Sequence, residues 1–97
     1  MEIADWRIQI DGLDRQLVEL LNQRARCAHA IGVLKRGKAT PIYEPRREEQ
    51  VMENVRAANQ GPLEDRALRN IFERIIDEMR AIQKQEMLET GPAPESR

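Results

Sequence analysis

Apolar residues recur every three or four positions through the start of the chain: Ile3, Trp6, Ile10, Leu13, Leu17 and Leu20, then Ala28 and Ile31. That spacing places them on one face of an α-helix. Two further positions of the same stripe hold cations, Arg24 and Lys35. A cation in an apolar seam loses its hydration and persists only where a carboxylate of the protein or of a bound ligand compensates. The stripe therefore suggests an anion site inside a helix bundle.

The first helix is predicted from an N-cap at Asp5 to Arg36, with Gly37 at the C′ position and Pro41 beyond it. Such a rod spans roughly 47 Å, whereas a compact chain of this length has a radius of gyration of about 12.5 Å. Its own chain cannot cover it, which predicts an intertwined homodimer whose long helix crosses between the two halves. Gly32 inside this helix costs about 1 kcal/mol relative to Ala. Tolerated drift and the close approach of another helix or a ligand both account for it. The segment GKATPIYEP is an extended loop, with Pro45 suited to the first turn of helix 2 and Glu44 near its N-cap. Helix 2 is predicted over Arg46 to Asn59, with Val51, Val55 and Ala58 inward, ending at Gly61 and Pro62. Helix 3 runs from Glu64 to Met87 on the stripe Leu68, Ile71, Phe72, Ile75, Ile76, Met79, Ile82. The fold class is all-α, a long, a short and a long helix forming one domain over residues 1–89. Residues 90–97, with Gly91, Pro92 and Pro94, read as a disordered tail.

Composition narrows the function. Sixteen Lys and Arg against 17 Asp and Glu leave a net charge of -1, so no global field draws the chain to nucleic acid or to an anionic membrane. Locally the balance differs. Between Leu20 and Tyr43 lie Arg24, Arg26, Lys35, Arg36 and Lys38 with no acid among them, a region attractive to a small anion. Cys27 is the one cysteine, and the start MEIADWRIQI has no secretory character, which together predict a cytoplasmic protein. No apolar run approaches the roughly 18 residues of a membrane span.

On an ideal helix Arg24 and Lys35 differ by about 20° in azimuth and about 16 Å along the axis, so their long side chains can share one small ligand. Arg7 borders the stripe too, but about 25 Å from Arg24. Only an antiparallel partner can bring it to such a site. Arg24 and Lys35 also have plain structural readings: Arg24 as a snorkelling arginine paired with an acid of a neighbouring helix, Lys35 as a complement to the helix dipole. Arg47 and Glu48 lie near the inward face of helix 2 beside Val51, unless they merely pair at the surface. Gln83 lies on the apolar face of helix 3, as ligand contact or as interhelical hydrogen bond. His29 points outward with no second histidine, which argues against a metal site or a histidine-activated nucleophile. Cys27 reads as a small core residue. No glycine-rich phosphate loop, paired cysteines or serine elbow occurs, so no cofactor is expected. Such side chains suit the gripping of a compact polyanion better than covalent chemistry.

The stretches IDGLDRQLVELLNQRARCAHAIGVLKR, PIYEPRREEQV and GPLEDRALRNIFERIIDEMRAIQ resemble the all-helical class of chorismate mutases, in the right order over about 80 residues. The resemblance implies an intertwined dimer of three-helix chains that rearranges chorismate to prephenate on the route to phenylalanine and tyrosine. By motif it implies that Arg7, before I-D-x-L-D, reaches into the partner's site, and that Arg24, closing L-L-N-Q-R, holds substrate in its own. It likewise implicates Lys35, Arg47, Glu48 and Gln83. Two positions depart from the family pattern: Glu44 stands where aspartate is common, and Met79 where some relatives carry a small polar residue. The resemblance thus implies Lys35, Gln83 and Arg24 as catalytic, with Arg7, Glu44, Arg47, Glu48 and Met79 completing the substrate site. Two other functions fit the same fold: an isochorismate-pyruvate lyase, and a non-catalytic helical dimer that regulates or docks on another enzyme of the pathway.

Overall fold

The computed structural model describes residues 1–38 and 40–90, with side chains through residue 88. Three helices account for nearly all of it: α1 Ile3–Lys38, α2 Pro45–Ala58 and α3 Asp65–Thr90. Asp5 proves to be inside the first turn, not its cap. The Asp5 carboxylate instead accepts a 2.8 Å hydrogen bond from the Glu2 backbone N–H, as the third helical residue does in a capping box. At the other end α1 runs through Gly37, because the Thr40 N–H reaches the Lys35 carbonyl (3.2 Å) and closes the last turn one step later than the glycine suggested. Pro45 opens α2 as expected, while Glu44 makes no side-chain cap. The turn into α3 is tied by Asn59, whose amide donates to Leu63 O (2.8 Å) and to Asp65 Oδ1 (2.7 Å). Gly61 in that turn takes φ +71°, which a side chain would oppose. Helix α3 continues to Thr90, and the rest of the expected tail, 91–97, lies outside the described residues.

Helix α3 is the centre of the arrangement: α1 packs on one side of it and α2 on another, and α1 and α2 do not pack together. Val51, Met52 and Ile76 form the core, with Val55 and Phe72 against them. Met52 was not foreseen as inward, and Ala58 is exposed. The stripe of α1 divides sharply. All buried residues of this helix, Ala28, Gly32 and Lys35, lie in its C-terminal half. In the N-terminal half Ile3, Trp6, Ile10, Leu13, Leu17 and Leu20 each keep more than half their surface exposed, because nothing among the described residues lies opposite them. The molecule is accordingly elongated, 62 × 28 × 15 Å with a radius of gyration of 17.4 Å. That shape is consistent with an intertwined dimer.

Gly32 resolves in favour of close approach. A Cβ there would stand 3.2 Å from Gln83 Cα and 3.4 Å from Glu86 Cβ, so the bare glycine lets α3 approach α1. The same seam is tied by buried Glu86, which accepts from Arg36 Nη1 (2.7 Å) and lies 3.3 Å from His29 Nδ1.

Candidate active site

A cavity of about 440 Å³ lies between α1, α3, the 40–44 loop and the start of α2. That volume lies within the range of small-molecule sites, about 300–1,000 Å³. Helix α1 supplies Arg24, Cys27, Ala28, Ile31 and Lys35, the successive turns of one face. Helix α3 supplies Ile76, Met79, Arg80 and Gln83, again one face. The loop and α2 add Ile42, Glu44, Arg47, Glu48 and Val51. The structure thus brings together Arg24, Lys35, Glu44, Arg47, Glu48, Met79 and Gln83. It leaves Arg7 apart, on the uncovered half of α1. Cys27 is exposed toward the cavity, not packed in a core, because the space it borders is open.

Lys35 is buried, and its ammonium spends all three donors: on Glu44 Oε1 (3.0 Å), Gln83 Oε1 (3.0 Å) and the Ile42 carbonyl (3.3 Å). Its charge is compensated by Glu44, so the helix dipole is not its only partner. Because the Gln83 oxygen accepts from Lys35, the Gln83 amide N–H groups remain as donors. Glu48 is engaged by Arg80, whose Nη2 and Nε donate at 2.7 and 3.1 Å to the same oxygen, Oε2. Arg80 also lies 5.2 Å above the ring centroid of Tyr43 and 3.3 Å from Asp77 Oδ1. The hydrogen bonds to Glu48 outweigh the opposing effect of burial and hold the Arg80 guanidinium above the ordinary arginine range. It is a permanent cation.

Arg24 and Arg47 differ from these two. Among the described residues no carboxylate pairs with Arg24, against the reading of a snorkelling arginine in an ion pair. Among the described residues Arg47 is held only by a neutral partner, Gln50 Oε1, at 2.7 Å. The lining therefore carries four cations and two carboxylates, with both carboxylates already matched and two guanidiniums left uncompensated. Arg80 is the site residue that sequence reasoning missed. It falls one position off the apolar stripe of α3, yet it shares a face with Ile76 and Gln83 four residues before and three after it, a spacing that marks it.

The family is decided by residues 6–84, which match the family described as chorismate mutase type II. The chain belongs to that family. Among its relatives is the chorismate mutase/prephenate dehydratase of Neisseria gonorrhoeae, 38% identical over 78 residues that make up 80% of this chain and 21% of that protein. Against the chorismate mutase of Methanocaldococcus jannaschii the identity is 27% over 90 residues, 92% of this chain and 91% of the other. The present chain spans about a fifth to a quarter of the bifunctional relatives it matches and nearly all of the archaeal one. In structure it is similar to a chorismate mutase of Thermus thermophilus, with a TM-score of 0.83, 30% identity, and coverage of 86% of this chain and 94% of that one. It is also similar to the chorismate mutase of Helicobacter pylori in complex with prephenate: TM-score 0.82, 26% identity, coverage 90% and 94%. No helix among the described residues is long and apolar enough to cross a membrane.

Proposed function

We propose that this chain catalyses the rearrangement of chorismate to prephenate in aromatic amino acid biosynthesis. The observation that carries the proposal is the charge pattern of the cavity: two uncompensated guanidiniums, Arg24 and Arg47, in a pocket whose other charges are matched, which complements a dianion. Chorismate is a compact dicarboxylate. Its rearrangement is pericyclic and needs no nucleophile and no proton transfer, so rate must come from holding the reactive conformer and from stabilising charge that develops on the breaking ether oxygen.

The side chains divide accordingly. Arg24 takes one carboxylate in its own chain. Arg7 of the partner subunit completes the clamp in an intertwined homodimer, since about 25 Å of helix separates it from Arg24 within one chain. Arg47 orients the end of the substrate nearest α2, and Glu48 accepts the ring hydroxyl. Lys35 and Gln83 donate to the ether oxygen. The Gln83 N–H groups are available for this, while Lys35 exchanges its longest bond, that to the Ile42 carbonyl, for the new acceptor. Both donors are fixed before substrate arrives, Lys35 by Glu44 and Gln83 by Lys35, so little reorganisation is needed in the transition state. Met79 and Ile31 wall the ring.

The test is the loss of chorismate absorbance with purified protein and with Arg24→Ala, isochorismate being offered in parallel. Saturable turnover of chorismate that disappears in Arg24→Ala supports the mutase reading. Release of pyruvate from isochorismate with chorismate untouched would replace it with a lyase, and a folded protein inert toward both would leave a binding module.

A further inference from the structure

Arg80 holds three partners at once, Glu48, Tyr43 and Asp77, and only the first of these is a group assigned to substrate. Two of its nitrogens converge on a single oxygen of Glu48, at 2.7 and 3.1 Å, and no side chain among the described residues hydrogen bonds the other oxygen, Oε1. A carboxylate left to itself rotates and offers either oxygen. Here the two N–H groups of one rigid fork occupy Oε2 and leave Oε1 as the acceptor. Arg80 is itself locked in place by Tyr43 on the loop side and Asp77 one turn earlier on α3. Its side chain is 29% exposed, as is usual for a group at the wall of a pocket, and Glu48 beside it is similarly sheltered at 26%. In that setting the pair is worth more than an exposed surface ion pair, which contributes little.

From this geometry we infer that Arg80 is a positioning residue for the reaction: it fixes the rotamer of Glu48 so that Oε1 receives the hydroxyl of the substrate ring. The inference rests on the assignment of that hydroxyl to Glu48 under the proposed function. Arg80 need not touch substrate. By the same contacts it joins α3 to the 40–44 loop and to α2, so the hydroxyl acceptor is referenced to the helix that carries Gln83. Glu48 sits 32 residues before Arg80 in the chain, and only the packing of α2 on α3 brings them together.

The experiment is a double-mutant cycle on the full chain, Arg80→Met and Glu48→Gln singly and together, reading kcat and KM for chorismate separately and thermal unfolding alongside. Arg80→Met removes a charge-assisted hydrogen bond to the acceptor and should lower kcat/KM on the order of tenfold. If Arg80 acts through Glu48, the double variant is no worse than Glu48→Gln beyond about twofold, because a lost partner cannot be lost again. Arg80→Lys, which keeps the charge and one donor, should recover part of the loss and serves if Arg80→Met folds poorly. Losses that multiply in the double variant would overturn the inference and send Arg80 to direct substrate contact or to stability alone. Arg80→Met at wild-type turnover, with Glu48→Gln impaired, overturns it while sparing the hydroxyl assignment. Glu48→Gln at wild-type turnover removes both the assignment and the role of Arg80, and a wild-type chain inert to chorismate removes the mutase reading beneath them.

Discussion

The two halves of α1 carry the same three- and four-residue spacing and have opposite surroundings. Up to Leu20 the stripe is apolar and stands more than half exposed; from Arg24 onward it mixes cations with Ala28 and Ile31, and Ala28 and Lys35 are buried where α3 packs. The periodicity is continuous, so what differs is the neighbour each half requires. The first half leaves six large apolar side chains uncovered among the described residues, and exposed apolar area of that extent marks an interaction surface. The second half trades apolar contact for charge and gains a cavity. Under the proposed function, assembly and chemistry share one rod, with Arg7 on the uncovered half and Arg24 on the half that lines the cavity. Activity should therefore depend on the state of the uncovered half.

The largest effect should come from breaking that half. Leu17→Asp would place an unpaired carboxylate in the proposed helix–helix interface, and we expect a monomer by light scattering with nearly all turnover gone. A full-length monomer that retained normal turnover would uncouple the two halves. A finer version mixes two inactive chains, Arg7→Ala and Arg24→Ala. If each site takes Arg7 from one chain and Arg24 from the other, half of the dimers are mixed and carry one intact site, so about a quarter of wild-type activity returns. No recovery after demonstrated subunit exchange would place both arginines in separate roles.

On the catalytic half, Lys35→Ala should cost about 100- to 1000-fold in kcat, the usual loss for one preorganised donor. Near-normal turnover would remove Lys35 from the mechanism. A pH profile sharpens the role of its neighbour. Gln83 does not titrate, so wild-type turnover should show no loss traceable to it between about pH 6 and 8. In Gln83→Glu the position must be protonated to donate to the ether oxygen, and the adjacent Lys35 ammonium favours the charged form. Turnover of that variant should be highest in acid and fall as pH rises. A flat profile would mean that the substrate is not contacted there.

The sequence was most legible where periodicity and function coincide. Three helices, their order and the Pro45 start of α2 follow from apolar spacing and proline chemistry. That Arg24 and Lys35 share a site follows from their common face of α1, whereas spacing left Gln83 open and the resemblance assigned it. The open first half of α1 was legible from its length, whereas burial was misjudged in α2, where Met52 is covered and Ala58 is exposed because spacing alone does not say which neighbour the helix turns toward. Ends were misplaced where a backbone bond outvoted a residue type, as the Thr40 to Lys35 closure did at Gly37. Arg80 went unnoticed because a charged residue beside an apolar stripe ordinarily faces solvent. Nothing local indicates that Glu48, on another helix, turns it inward.

The smallest effects return to the two halves through a pair of glycines. Gly32 meets Gln83 Cα at 3.2 Å from where a Cβ would be, a backbone atom that cannot step aside. Overpacking of this kind costs about 1–3 kcal/mol, against a gain in helix propensity of about 1 kcal/mol, so Gly32→Ala should be net destabilising by about 1 kcal/mol. Gly12, on the uncovered half, would meet only the far end of the Arg15 side chain at 3.9 Å. There the propensity gain stands alone, and Gly12→Ala should stabilise by up to about 1 kcal/mol. Urea unfolding of both variants at one fixed protein concentration gives the two signs directly, the concentration being held because a dimer's stability depends on it. Opposite signs would confirm that the halves differ in what lies against them. A loss at Gly12 instead would mean that a partner's backbone passes as close to that half as α3 does to the other, so that both halves of α1 are seams of the assembled protein.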